Sequence, residues 1–147
     1  MKTIIKCADG SVAVMTLSSG SDVLQEIEKW RGTNPEKYIS HRNMEDSAIP
    51  KDRTFRNAWS DTTPQLTIDV DMVKARKIHL DNIRTKRNFE LSKLDIEGIK
   101  AQDADDAPTL IKIRDRKQQL RDLPETLNFS IESANSTDEL KAIQPFN

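Results

Sequence analysis

The sequence predicts an α+β chain: an N-terminal β-hairpin and helix, a second β-hairpin, then a C-terminal antiparallel helical hairpin with a short terminal helix. Three observations carry this expectation. An Asp-Gly turn signal separates two β-prone runs near the N-terminus. From Asp69 onward the apolar residues recur at helical spacing. Asp106-Ala107-Pro108 then breaks that periodicity with an N-cap carboxylate and a first-turn proline, so one long helix must turn back into another.

The elements follow in order. Thr3 to Cys7 is β-prone, Ala8-Asp9-Gly10-Ser11 supplies the turn, and Val12 to Leu17 resumes the apolar run. DVLQEIEKWRG next places Val23, Leu24, Ile27 and Trp30 at helical spacing, with Gly32 as the stop. Residues 1–32 therefore read as a hairpin-helix module. The stretch from Thr33 to Thr54 holds Pro35 and Pro50 and no sustained period, which predicts a polar linker over 33–53. Tyr38, Ile39 and Met44 offer material there for one short strand. FRNAWSDTTPQLTID reads as the second hairpin, with strands Phe55–Trp59 and Leu66–Ile68 around a turn at Ser60 to Pro64. With the helices that follow, residues 54–147 form the second module.

In the long helical run Val73, Leu80, Ile83, Leu91 and Leu94 fall on one stripe, interrupted at Arg87. No proline appears between Asp71 and Ala107, so a helix of about 24 residues is expected, passing Gly98 only in a weakened last turn. The returning helix, Thr109 to Leu123, turns Leu110, Ile113, Leu120 and Leu123 inward, with Lys117 in the stripe and Pro124 as its stop. The expected core of the helical hairpin is Leu80, Ile83, Leu91, Leu94, Ile113 and Leu120. Ser136-Thr137-Asp138-Glu139 is a capping-box arrangement that opens a last short helix through Ile143.

Composition narrows the functions. Only 35% of residues are hydrophobic and 32% are charged, against roughly 45–50% and about 25% in ordinary globular chains. A chain this polar has little apolar surface to bury against itself, so docking on partners, or on further copies as a homo-oligomer, is expected. Trp30, Phe55 and Trp59 are the large apolar groups proposed as partner anchors, with a role as internal core the alternative. The 23 basic and 24 acidic residues leave a net charge of −1 and no global field for nucleic acid or anionic lipid. A single cysteine, Cys7, excludes an internal disulfide and a multi-thiolate zinc site, and is expected as a small strand residue. The N-terminal apolar run is too short for a signal peptide and no stretch approaches a membrane span, so a soluble chain without a standard export signal is expected.

The residues offer no chemistry of a recognisable kind. His41 and His79 lack ligands at metal spacing, and the Gln102 to Asp106 tract lacks the mid-loop glycine and the terminal glutamate of a calcium loop. There is no phosphate loop or nucleophile elbow, so no metal, cofactor or enzyme activity is expected. The long helix is rich in basic residues, among them Lys74, Arg76, Lys77, Arg84, Lys86, Arg87 and Lys93, and the next carries Arg114, Arg116, Lys117 and Arg121. A nucleic-acid-binding helical hairpin is therefore the alternative reading. Against it, Asp71, Asp81, Glu90, Asp115 and Asp122 are interleaved at pairing distance, and the aromatic residues lie mostly in the front half, away from the basic helices.

Four pieces occur in succession: FRNAW at Phe55 to Trp59, IDVDMVKARKIHLDNIRTKRN from Ile68 to Asn88, KQQLRDLPE at Lys117 to Glu125, and the closing STDELKAIQP. In this order they resemble a module of small proteins from the tail gene regions of tailed bacteriophages, including the phage tail assembly and tail fibre assembly chaperones. The resemblance covers Thr54 to Pro145; the first 50 residues lie outside it. It implies a non-enzymatic tail protein, made in the bacterial host cytoplasm and located in the virion tail. Such a protein docks on or attaches tail fibre or other tail proteins, or assists their assembly as a chaperone.

Overall fold

Three consecutive β-branched residues, Thr3 to Ile5, favour KTIIKC as a strand, and it is the central one, β1 (Lys2–Cys7), of a three-stranded antiparallel sheet. The edges are β2 (Val12–Met15) and β3 (Tyr38–Met44). The Asp-Gly turn between β1 and β2 forms as the sequence predicts: Gly10 takes φ +75°, a backbone state that glycine enters without steric cost. Hydrogen bonds from the Ser11 hydroxyl and amide hold the Asp9 carboxyl below its ordinary range. The computed structural model describes residues 1–62 and 67–146, in two compact units, Met1–Ala75 and Arg76–Asn147.

In the first unit, neighbouring residues of β1 face opposite sides of the sheet, yet Ile4 and Ile5 are both fully buried. On the Ile4 side the core is Ile4, Met44, Trp59 and Ile68, with Val12, Val14, Ala48, Ile49 and Val70 packed against it. The cross-strand register agrees, since Ile4 stands opposite Val14 and Lys6 opposite Val12. The crossover between the two edge strands is α1 (Val23–Thr33), capped by the Asp22 carboxylate, which accepts from the amides of Leu24 and Gln25. Ile27 is its buried residue, whereas Leu24, expected on the same face, is exposed.

Two expectations about this unit change. Residues 33–53 are not a linker, because Tyr38–Met44 pairs along the whole of β1, from Lys2 opposite Met44 to Cys7 opposite Tyr38. The segment YISHRNM shows no apolar alternation because an edge strand is held by backbone hydrogen bonds and keeps much of its surface wet. The second hairpin also forms on different residues. Phe55 leads into a 3₁₀ turn at Arg56–Ala58, and the paired strands are β4 (Trp59–Ser60) and β5 (Asp69–Val70). Leu66, and Thr63 and Pro64 of the expected turn, lie outside the described residues.

The long helix α2 (Met72–Asp103) has 32 residues, well beyond the expected length. Asp71 starts it by accepting from the amides of Val73 and Lys74. Val73, expected on the buried stripe, is exposed. At the far end the chain reverses through a helix stop in which the Asp106 amide donates to the Ala101 carbonyl at 2.9 Å and the Asp105 amide to Gln102 at 3.1 Å. This is the two-bond left-handed stop, and Asp105 occupies its left-handed position at φ 51°. One residue later Asp106 caps α3 (Ala107–Ser133), accepting from the Thr109 amide, with Pro108 in the first turn. Hydrogen bonds from Thr109 hold the Asp106 carboxyl below its usual range. The cap is thus fully formed above that range and is lost as pH falls through the lowered value.

Pro124 does not stop α3; it lies inside the helix, which continues to Ser133. Proline removes one helical donor and costs about 3 kcal/mol in a helix interior. Packing outweighs that cost here, because Leu120 and Ile131, three turns apart on one face, are both fully buried and hold the segments on either side of the proline in line. The two helices pack antiparallel. Their register is fixed by Lys117 Nζ, 2.7 Å from Asp95 Oδ1, and by Arg76, whose Nε and Nη2 donate to the Ala134 carbonyl at 3.2 and 2.9 Å. That carbonyl is an unpaired acceptor at a helix C-terminus, where a cation is favoured. Of the six residues expected in the seam, Ile83, Ile113 and Leu120 are buried, whereas Leu80, Leu91 and Leu94 are half-buried.

A final helix, α4 (Thr137–Ala142), starts with the Ser136 hydroxyl accepting from the Glu139 amide. Glu139 reaches back to the Asn135 amide, one residue earlier than the reciprocal bond of a full capping box. Leu140 is fully buried, and His79 Nε2 donates to the Ile143 carbonyl at 3.0 Å, which secures the chain beyond α4.

Two substitutions test this unit. Leu120→Asp places a carboxylate in the seam and is expected to cost several kcal/mol, read as loss of the cooperative helical transition by circular dichroism; an unchanged melt refutes the seam. Asp105→Gly relieves the left-handed backbone and is expected to raise stability by up to about 1 kcal/mol, read as a higher melting temperature.

Candidate functional site: the exposed apolar surface of the helical hairpin

The three anchors expected from sequence lie in the first unit, and two of them are inside it. Phe55 is 2% and Trp59 3% exposed, so neither side chain is available as a docking anchor on the folded chain. The reason is specific to FRNAW: its 3₁₀ turn rotates Phe55, Ala58 and Trp59 inward together, and Trp59 completes the core over β1. The Arg53 guanidinium lies over the Trp59 ring, 5.8 Å from its centroid. Trp30, on α1, is half-buried and keeps some surface.

A second contact holds the same region. Arg42 on β3 grips Asp61 with two bonds, Nε to Oδ2 at 3.1 Å and Nη2 to Oδ1 at 2.7 Å. Bidentate geometry and a mostly buried Asp61 make this pair stronger than an ordinary surface bridge. A small concavity nearby, lined by Asp9, Arg53, Arg56 and Asn57 among others, mixes a carboxylate with two guanidinium groups. No single ligand charge suits that lining.

In the second unit the large apolar side chains that stay exposed are the more informative ones. Phe89 is 63% and Phe129 82% exposed, and Ile96, Ile99 and Ile111 are each more than half exposed. None lies on the inner seam of its helix. A single apolar stripe per helix leaves them out; their signal in the sequence is apolar residues out of phase with that stripe, such as Phe89 two positions before Leu91. These five are the large apolar side chains that the second unit leaves exposed among the described residues.

Some of the charged residues of the long helix pair with each other. Asp81 pairs with Arg84 at 3.1 Å and Glu90 with Lys93 at 2.7 Å, both within α2. Such exposed pairs contribute little stability, but they do divide the basic run into neutralised sections. His41 Nδ1 lies 2.7 Å from Tyr38 Oη on β3, and His79 is buried against the C-terminal segment. Among the described residues no three His, Cys, Asp or Glu side chains converge as a metal site, and no helix is long and apolar enough to cross a membrane.

Core and surface roles separate by substitution. Trp59→Ala is expected to destabilise the first unit by about 3–5 kcal/mol, whereas Phe129→Ser should shift stability by no more than about 0.5 kcal/mol, both measured by urea unfolding. A large loss in Phe129→Ser would place that ring in the core. Comparison with known proteins finds no matching family model, curated protein or solved structure.

Proposed function

We propose that this protein is a non-enzymatic tail protein of a tailed bacteriophage, a virion component that docks on or attaches tail fibre or other tail proteins. The observation that carries the docking role is the exposed apolar surface of the helical hairpin, led by Phe89 and Phe129. A chain with so few hydrophobic residues leaves several of its largest in water, which is costly for the monomer and favourable once a partner covers them. The phage assignment rests on the resemblance of Thr54 to Pro145, whose pieces coincide with fold-bearing positions. FRNAW supplies Phe55 and Trp59, the IDVDMVKARKIHLDNIRTKRN piece supplies Ile68, Ala75, His79 and Ile83, and STDELKAIQP supplies Leu140, all buried.

A permanent component and an assembly chaperone differ in where the protein ends up. Quantitative mass spectrometry of purified particles and of the infected lysate is expected to find it in particles at a fixed ratio to the major tail proteins. Presence in lysate with absence from particles would reassign it as an assembly chaperone, and absence from both would remove the phage reading.

A further inference from the structure

The outer faces of α2 and α3 carry two lines of side chains that the seam does not use, and these lines are opposite in charge. On α2 the line is Lys86, Phe89, Lys93, Ile96 and Lys100, in steps of three and four residues that keep it on one helix face. All five are exposed. On α3 the line is Ile111, Asp115, Gln118, Asp122 and Phe129, again all exposed. Ile111 and Phe129 are eighteen residues apart, about five full turns, so they sit directly in line. Arg114 and Arg121, the cations at the border of the α3 line, belong instead to the groove shared with Gly98 and Ile99 of α2. The outer line of α3 is therefore acidic, and that of α2 basic.

We propose that a second copy of this chain docks on these lines, the lysine line of α2 in one molecule lying antiparallel against the aspartate line of α3 in the next. Read in opposite directions, the two lines keep pace to within one residue. Setting Ile96 against Ile111 brings Lys93 beside Asp115, Phe89 beside Gln118 and Lys86 beside Asp122. Apolar contact then supplies the attraction, and the charges fix register and partner. Pairing two lysine lines, or two aspartate lines, sets like charges together and is disfavoured. Lys93 is held in the free chain by Glu90 at 2.7 Å and lies 4.5 Å over the Phe89 ring. Both contacts are exposed, so exchanging them for Asp115 costs little.

The occupant is a second copy because one chain presents both complementary lines at matching spacing. The contact is also heterologous: each molecule retains an unused basic line on one side and an unused acidic line on the other. Association therefore continues past the dimer until a ring closes or a filament grows. This inference uses only the helical hairpin and stands apart from the phage reading.

The test is sedimentation velocity and light scattering of the full chain across concentration, in low and high salt. The wild type is expected to exceed the dimer mass as concentration rises, and less so in high salt. Lys86→Glu with Lys93→Glu, and separately Asp115→Lys with Asp122→Lys, are each expected to stay monomeric while keeping the wild-type circular dichroism spectrum. Mixed in equal amounts, the two variants present complementary lines again and are expected to regain the large species. A wild type that remains a monomer or stops at the dimer overturns the proposal. So does a mixture that fails to reassemble, or a monomer that binds duplex DNA through its lysine line instead.

Discussion

The second unit depends on the reversal between α2 and α3. With the Asp106 amide bonded to Ala101 and Asp105 forced into the left-handed region, one helix stops and the next begins within three residues. A connection that short leaves the returning helix nowhere to go except antiparallel beside the first. Every later pairing follows from that reversal. Asp95 meets Lys117 a few turns down, and Arg76 meets the Ala134 carbonyl that caps α3 at the far end. A different stop would shift the register and turn other residues inward, so the seam of Ile83, Ile113 and Leu120 is a consequence of three loop residues as much as of its own apolar character.

A two-helix seam is narrow. Two helices bury only one stripe each, and the remaining surface faces water unless something else covers it. α4 covers part of it through Leu140 and the His79 bond to Ile143. The rest of the outer surface keeps phenylalanine and isoleucine side chains that an isolated helical hairpin has no means to bury. The first unit solves the same shortage differently, with both faces of one short strand enclosed and a tryptophan filling one of them. The poor hydrophobic content of the whole chain is thus concentrated at one end and spread thin at the other.

Features set by neighbouring residues were legible in the sequence. The Asp-Gly turn, the Asp106 cap with its first-turn proline and the Ser136 cap each rest on a side chain satisfying backbone groups within a few positions, so local spacing reveals them. The seam leucines and isoleucines were legible for the same reason. What escaped depended on distant partners. β3 exists because β1 offers it hydrogen bonds; Tyr38, Ile39 and Met44 offer material for one short strand, but nothing in YISHRNM shows that it pairs along the whole of β1. Pro124 reads as a stop until the anchors on either side of it are seen to be buried. Phe55 and Trp59 read as surface anchors in a chain assumed to have little core, whereas an inward-rotating turn and a sheet that the sequence only half displayed gave them one. The apolar residues on the outer helix faces were visible as letters, but their exposure follows only once the seam is fixed.

Cys7 sits on the central strand, buried, and is the single thiol of the chain. A thiol reacts as its thiolate and only when reagent reaches it, so modification of Cys7 must wait until the residue is uncovered. The residue is thus a built-in clock for opening of the first unit: its labelling rate under native conditions measures how often the strand is uncovered.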